Sequence, residues 1–389
     1  GSPRYVKETP KVELTLPDGS IFKGKKRETD QKISEIIGLD ADQFTQISMI
    51  AQGEFLKLLL AESRERKKIF SRIFQTRFYY RIQEELKKQA VRYTNILYPI
   101  RALAGTHDLG FMINCSYGNA LRLAHNDTIA AVIAETADAL YKRFDPNIGC
   151  IRSWDFGSWN YPVIIDNMMN LDLLFNASKI TGDSRYYDIA VAHAKTTMRH
   201  HFRTDYTCYH VVSYHNDGTV EKRETHQGKD DESTWSRGQG WAVYGYTSCY
   251  RETKDTTFLQ QAIHVADMIM ARVKTNDSIP YWDYDAPAMA ETPRDASAAC
   301  VTASAFIELS TLIPDGQKYF DYAETILENL SAPEYLAKKG ENHGFILMHS
   351  TGSLPHNSEV DTPINYADYY YLEALKRFMN LKGINYKDI

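Results

Sequence analysis

Residues 162–170 read Pro162-Val163-Ile164-Ile165-Asp166-Asn167-Met168-Met169-Asn170, an apolar run that carries a carboxylate to the start of a predicted helix. Outward from this segment, amphipathic stretches of about 12–20 residues follow one another, separated by turn-rich links. They predict helices near residues 116–143, 168–181, 184–202, 235–253, 256–273, 294–312, 316–329 and 365–379. The irregular spacing excludes a short solenoid repeat. Paired helices with long links on one side predict a mainly α, toroid-like fold, with a small hairpin near 206–220.

Two carboxylates stand at predicted helix starts. Asp166 follows the apolar run, and Asp108 lies in Thr106-His107-Asp108-Leu109-Gly110-Phe111. A carboxylate at a helix start commonly accepts backbone N–H groups, so a purely structural role is the alternative for each of them. The apolar surroundings of Asp166 would raise its pKa and hold a proton for donation. Two inward carboxylates in a cleft are also the usual equipment for cleaving sugars.

Other side chains suited to a sugar site lie in the links that follow. His210 sits in Tyr209-His210-Val211-Val212, where a hydrogen-bonded core histidine is the alternative. Gln227 supplies an amide. Arg237 could grip a carboxylate with two parallel hydrogen bonds. Trp241 could stack on a sugar face, and core packing is its alternative role.

Six motifs together resemble one family, the unsaturated glucuronyl hydrolases of glycoside hydrolase family 88. They occur in the family's order, from about residue 91 to residue 380. The motifs are T-H-D-L-G-F (106–111), V-I-I-D-N-M-M-N (163–170), H-V-V (210–212), W-S-R-G-Q-G-W (235–241), P-R-D-A-S-A-A (293–299) and Y-A-D-Y-Y-Y-L-E-A-L-K-R (366–377). The resemblance implies an (α/α)6 barrel and a substrate left behind by polysaccharide lyases, an oligosaccharide that ends in 4,5-unsaturated uronic acid.

The family's chemistry is hydration of an enol ether. By resemblance, Asp166 is the acid/base, while Asp108 helps to bind the uronate ring and keeps Asp166 protonated by like-charge repulsion. This chemistry needs no metal, no cofactor and no covalent sugar–enzyme intermediate. The family positions that bind substrate map onto His210, Gln227, Arg237, Trp241, Trp154 and His349.

The N-terminal part has a different character. Residues 1–101 hold 20 Lys+Arg against 13 Asp+Glu, a balance of +7, whereas the remaining residues hold 25 against 37, a balance of -12. Strands are expected at 11–16 and 21–24, around the turn Pro17-Asp18-Gly19-Ser20, and helices at 30–37 and 63–93. We therefore predict two domains, 1–90 and 91–389.

Residues 11–89 resemble a fragment of an SbcC-type DNA-repair ATPase. The stretches that carry this resemblance are Ile36–Phe44, Ala51–Leu56 and Ile69-Phe70, in which Gln52 would be the residue that senses nucleotide. The alternative for the second stretch is a plain turn between helices. Because the chain has no G-x-x-x-x-G-K-[ST] phosphate loop, this fragment cannot be an ATPase by itself.

The fragment stands where family 88 proteins carry their first helices and a sugar-stacking Trp. No Trp precedes Trp154 in this chain. The sequence therefore predicts a barrel that lacks its first helices, as in a fusion or chimera, with one missing wall supplied by the helix at 63–93. We expect a recognisable active site with reduced activity.

Bulk features exclude several other classes of protein. The five cysteines are widely spaced and odd in number, which predicts free thiols rather than a disulfide framework or a zinc ribbon. No apolar run reaches about 18 residues and no signal peptide is visible, which predicts a cytoplasmic or periplasmic bacterial protein with no membrane partner. His107-Asp108 and His200-His201 lack metal-ligand spacing, so we expect no metal.

Three alternatives remain open at this point. The chain could act on unsaturated rhamnogalacturonyl substrates, since that related family shares the fold and a similar carboxylate pair. It could be a DNA-repair-derived fragment joined to an inactive hydrolase domain, although we expect no nucleic-acid partner. It could also be a structurally incomplete, inactive chain.

Overall fold

The computed structural model describes residues 13–37, 77–124 and 126–384, and the chain divides into two units, Gly1–Tyr93 and Thr94–Ile389. In the first unit, β1 (Leu14–Thr15) and β2 (Ile21–Phe22) pair antiparallel, as the sequence predicts. The turn between them depends on Gly19, whose φ of +82° is a conformation that favours glycine.

Two helices complete the described part of this region. Helix α1 (Lys26–Ile37) starts four residues before the predicted helix, because Glu28 accepts the backbone N–H of Lys25 and closes the first turn. Helix α2 (Arg77–Ile96) confirms the predicted 63–93 helix over residues 77–93 and ends three residues later; residues 63–76 lie outside the described residues. Most of the SbcC-like stretches, including Gln52, lie outside the described residues.

The second unit is built mainly from helices, which confirms the predicted class. They are α3 (Leu109–Ile113), α4 (Asn119–Leu123), α5 (Asp127–Tyr141), α6 (Leu171–Thr181), α7 (Ser184–His200), α8 (Ser236–Thr253), α9 (Thr256–Arg272), α10 (Ala296–Ser310), α11 (Gln317–Leu330) and α12 (Asn365–Lys382). Short 3-10 helices cover Tyr98–Ala102, Ile165–Asn170 and Asn342–Gly344, and a π-turn covers Asn114–Gly118. None of the helices in the described ranges is long and apolar enough to cross a membrane.

Short strands decorate the links between helices. β3 (Phe144–Asp145) pairs with β4 (Cys150–Ile151), and β5 (Pro162–Ile164), β6 (Val211–Tyr214) and β7 (Val220–Glu224) form an antiparallel sheet in that order. The hairpin predicted at 206–220 is therefore shifted to 211–224.

The predicted helix over 116–143 is wrong as a single element. The chain leaves the helical conformation after α4 and re-enters it at α5. Asn126 is the physical cause, because its side chain accepts the backbone N–H groups of Thr128 and Ile129 and so starts a new helix.

One extended core lies among the helices of the second unit. Almost every residue of α10, and α8 from Ser236 to Cys249, is buried, whereas α12 and α5 bury one face. The predicted free thiols are confirmed, since all five cysteines are unpaired and four of them are buried.

Helix α8 approaches the 3-10 turn Ile165–Asn170 closely at Gly245, where an added Cβ would stand 2.5 Å from Cβ of Met168. We expect Gly245→Ala to lower the free energy of unfolding by about 1–3 kcal/mol, because a packed core does not absorb an extra methyl group. Gly240→Ala in the same helix is the matched control, since its Cβ would meet only atoms at 3.4 Å or beyond. Chemical denaturation measures the free energy of unfolding of both variants, and an equal decrease in the two would contradict this expectation.

Candidate active site

A cavity of about 470 Å³ lies where the starts of α3, α8 and α12 meet the turn that precedes α6. Six of the eight predicted site residues line it, namely Asp108, Asp166, Trp154, Gln227, Arg237 and Trp241. Asp108, Asp166 and Arg237 stand at or next to the start of a helix, Trp241 lies one turn further along α8, and Trp154 and Gln227 come from the links. Within the described ranges, no group of three or more His, Cys, Asp or Glu side chains is placed to hold a metal ion.

Asp166 is positioned by the apolar run that the sequence singles out. β5 is buried, and the backbone N–H of Ile165 donates to the carbonyl of His210, which ties the start of the turn to β6. The Asp166 side chain is 19% exposed, and its Oδ2 atom is buried without a hydrogen-bond partner among the described residues. A buried carboxylate oxygen left free is costly for a fold and typical of a functional group.

Burial raises the pKa of Asp166 to about 6, and the negative charge of Asp108 pushes it in the same direction, against His107 and Arg237. A carboxyl with this pKa is still partly protonated near neutral pH and can donate a proton.

The surroundings of Asp108 shift its pKa in the opposite direction to that of Asp166. Its Oδ1 lies 3.2 Å from Nε2 of His107, and the Thr106 hydroxyl lies 3.3 Å from its Oδ2. The Asp108 side chain is 55% exposed. The protein around it displaces some water, which acts to raise the pKa of the carboxyl, but His107 and the hydrogen bonds outweigh that effect and lower the pKa of Asp108. The pair therefore offers one carboxyl that retains its proton and one that stays ionised.

Neither carboxylate performs the capping role that was the structural alternative. Asp108 stands at the N-cap of α3 without accepting a helix N–H, and Asp166 lies inside the first turn of its 3-10 helix. By contrast, Asp183, Asp255 and Asp295 each accept such an N–H through the side chain. Oδ2 of Asp166 is thus free to meet a ligand, whereas the two oxygens of Asp108 contact His107 and Thr106 and not the backbone of the helix.

His210 is buried beside Asp166, with its Nε2 atom 3.7 Å from Oδ2 of Asp166. Its other ring nitrogen accepts the backbone N–H groups of His226 and Gln227 at 3.0 and 3.1 Å. Burial, and after it the positive charges nearby, hold the pKa of His210 well below its usual value. The imidazole is therefore neutral beside the acid.

Gln227 and Arg237 are both hydrogen-bonded to one loop of the protein. Gln227 donates to the carbonyl of Gly352 at 2.9 Å, and Arg237 donates to the carbonyls of Thr351 and Gly352 at 2.6 and 2.7 Å. The carboxylate that Arg237 grips in this structure is Asp295, at 2.7 Å. Both residues therefore shape the wall of the cavity.

Aromatic rings form the rest of that wall. Trp241 packs edge-on against Phe111 and Tyr370, so its packing role and its place in the cavity coexist. Trp154 lies parallel to Phe156, with ring centroids 5.0 Å apart. The indole N–H groups of Trp154 and Trp241 are buried without a partner among the described residues, and both are donors that a sugar could satisfy.

The structure does not bring His349 into this cavity. Its Nδ1 atom pairs with Oδ1 of Asp361 at 2.6 Å, and its ring stands edge-on to Tyr335. Its backbone carbonyl accepts the N–H of Ala296 at the start of α10. The His349 side chain is thus engaged by Asp361 and Tyr335 and is not among the residues that line the cavity.

The sequence reasoning missed Phe156 and Asp295. Phe156 is 55% exposed and lines the cavity with one face on Trp154, and an aromatic residue two positions after a Trp was the signal that the sequence offered. Asp295 lies in the motif P-R-D-A-S-A-A, but its pairing with Arg237, 58 positions away, could not be read from spacing.

The helical second unit and its unequal carboxyl pair in an aromatic cavity define a glycoside hydrolase. A model of Glycosyl Hydrolase Family 88 matches residues 135–377, and the chain belongs to this family. It is 48% identical over 281 residues to an unsaturated glucuronyl hydrolase of Formosa agariphila, which covers 71% of this chain and 70% of that protein.

A solved structure supports the same assignment. The crystal structure of an unsaturated glucuronyl hydrolase specific for heparin matches with a TM-score of 0.76 and 53% sequence identity, over 77% of this chain and 82% of that chain. The predicted α/α toroid is thereby confirmed.

A separate and shorter similarity concerns another protein. The chain is 35% identical over 79 residues to the SbcC component of the SbcCD nuclease of Vibrio cholerae, which covers 20% of this chain and 8% of that protein. The predicted SbcC resemblance is thus present as a partial match.

Proposed function

We propose that the protein hydrolyses oligosaccharides that end in a 4,5-unsaturated uronic acid, by hydration of the C4=C5 bond. The observation that carries the proposal is Asp166, whose free Oδ2 and raised pKa place a proton donor in an aromatic cavity. The relatives of the second unit are unsaturated glucuronyl hydrolases, and one of them is described as specific for heparin. Heparin-derived unsaturated disaccharides are therefore the substrates we propose first.

The two carboxyls divide the chemistry between them. Protonated Asp166 donates its proton to C4, which leaves an oxocarbenium-like centre at C5. Water then adds to C5 and returns a proton to the Asp166 carboxylate. The resulting hemiketal opens, and the aglycone leaves as an alcohol. Ionised Asp108 accepts hydrogen bonds from ring hydroxyls and opposes early ionisation of Asp166.

Direct measurement of the double bond tests this function. Unsaturated uronyl groups absorb ultraviolet light, and hydration abolishes the absorbance. We expect the full chain to remove the absorbance of heparin-derived disaccharides, more slowly than the Formosa agariphila relative because of its atypical N-terminal part. Turnover of unsaturated rhamnogalacturonan products alone would favour the related alternative, and turnover of neither substrate would refute the proposal.

The pH profile gives a sharper prediction. Because the reactive form of Asp166 is protonated and its pKa is about 6, kcat/KM is expected to fall as pH rises above about 6, approaching tenfold per pH unit. Asp108→Asn removes the negative charge that raises this pKa, so the falling limb should move to lower pH. If kcat/KM of Asp108→Asn falls over the same pH range as that of the unmodified chain, the charge of Asp108 does not raise the pKa of Asp166.

A DNA-related role is the second candidate, and the 79-residue SbcC similarity favours it. This role requires that the full chain bind duplex DNA with an affinity that weakens steeply as the salt concentration rises. Salt-sensitive binding that leaves disaccharide turnover unchanged would add this role to the hydrolase.

The five unpaired cysteines suit a reducing compartment, which within the proposed cytoplasmic or periplasmic location favours the cytoplasm.

A further inference from the structure

The backbone turn from Thr225 to Gly228, hereafter the 225–228 turn, wraps around one nitrogen of His210. The N–H groups of His226 and Gln227 point at Nδ1 from 3.0 and 3.1 Å, and the Thr225 hydroxyl lies 3.4 Å from the same atom. A backbone N–H can only donate, so Nδ1 must present its lone pair to both of them. The single proton of the neutral ring then resides on Nε2.

The turn owes its shape to Thr225. The Thr225 hydroxyl accepts the backbone N–H of Gly228 at 2.8 Å, and the Thr225 N–H donates to Asp231 at 2.8 Å. Gly228 fits because an added Cβ would stand 2.6 Å from that hydroxyl oxygen. The hydroxyl thus closes a turn that aims two N–H groups at the ring.

On the opposite side of the ring, Nε2 is buried and has no hydrogen-bond partner among the described residues. The nearest carboxylate oxygen is Oδ2 of Asp166 at 3.7 Å, which also lacks a partner. This distance exceeds a hydrogen bond by less than 1 Å, so a small closure would join the two atoms. With the other tautomer, a lone pair would face Asp166 and compete for its proton.

We infer that the 225–228 turn is a tautomer clamp, which holds His210 with its proton on Nε2 so that this proton faces Asp166. When Asp166 gives its proton to the substrate, the carboxylate forms beside a donor that is already oriented. His210 then acts as a hydrogen-bond donor and not as a base. Thr225 is a positioning residue, since it acts through the ring of His210. The catalytic part of this inference rests on the proposed function, whereas the tautomer does not.

Nitrogen-15 NMR of the histidine-labelled full chain tests the tautomer without any substrate. We expect a His210 ring protonated on Nε2 only, unchanged from about pH 5 to about pH 8. The titratable and charged groups around this ring are His226, Arg237, His201, His107 and Asp166. Its signals are assigned by their absence in His210→Gln. A ring protonated on Nδ1, or on both nitrogens at pH 7, would overturn the inference even if the enzyme is active.

Paired variants test the role of Thr225. Thr225→Val keeps the shape but removes the hydroxyl, and we expect a mixed tautomer signal with kcat lowered about tenfold, the scale of one hydrogen bond, at a similar KM. Thr225→Ser restores the hydroxyl and should restore both readouts. A valine variant with unchanged tautomer and unchanged kcat would overturn the assignment. If the valine variant does not fold, the serine variant and the unmodified chain still decide the tautomer.

Discussion

Replacement of Asp166 by Asn is expected to lower kcat/KM for a heparin-derived unsaturated disaccharide by about 10²–10⁴-fold, the usual range for loss of a general acid. Asn has the shape of Asp but cannot donate a proton to C4. The neighbouring Asp108 cannot take over, because its pKa is lowered and it stays ionised. The loss of ultraviolet absorbance at pH 6, followed with equal amounts of both proteins, measures the effect.

The stability of the same variant separates a chemical loss from a folding loss. Folding raises the pKa of Asp166 from 3.8 to about 6, so its contribution to stability is fully present below pH 3.8 and is lost as pH rises through about 6. Asn carries no charge at any pH. We therefore expect Asp166→Asn to be more stable than the unmodified chain at pH 8 by roughly 1–3 kcal/mol, with the difference vanishing below about pH 4.

Chemical denaturation at the two pH values measures this difference. A variant that is less stable at pH 8 would show that Asp166 supports the fold, and its lost activity would then say nothing about proton donation. A stable variant with full activity would exclude Asp166 as the acid.

The starts of several helices could be predicted from the sequence, because they depend on residues close together in the chain. Helices α7, α9 and α10 begin within two residues of the predicted positions, because Asp183, Asp255 and Asp295 each cap the first turn. The break at Asn126 was missed, because apolar residues recur on both sides of it and hide the cap. Periodicity reports the face of a helix but does not report where the chain stops and restarts.

The candidate site could be predicted only in part from the sequence, because some of its contacts join residues far apart in the chain. Asp166 stood out because an apolar run surrounds it, which is a property of neighbouring residues. The partners of Gln227 and Arg237 lie 125 and about 115 positions away, in the loop at Thr351 and Gly352. Such pairings depend on how helices assemble, so the sequence suggested a substrate carboxylate where the structure places Asp295.

The Arg237–Asp295 pair carries the second large effect, on stability. Arg237 is 1% exposed and Asp295 is fully buried, so removal of the cation leaves a carboxylate without compensation. The carbonyl of Thr351 also loses its side-chain donor, while that of Gly352 loses one donor and keeps Gln227. We expect Arg237→Met to lower the free energy of unfolding by about 3–5 kcal/mol, as measured by chemical denaturation.

A second substitution distinguishes the buried charge from lost packing. Arg237→Met combined with Asp295→Asn removes both charges, and Asn retains an oxygen that can cap α10. If the uncompensated carboxylate dominates the cost, the double variant should recover at least about 1 kcal/mol relative to Arg237→Met alone. The matched control is Arg101→Met, because Glu135 of the Arg101–Glu135 pair is half exposed and loss of the pair should cost only about 0–1 kcal/mol. A double variant as unstable as the single one would instead assign the cost to the hydrogen bonds that Arg237 makes to the carbonyls of Thr351 and Gly352. Gln227, which also donates to Gly352, would then be the next residue to replace.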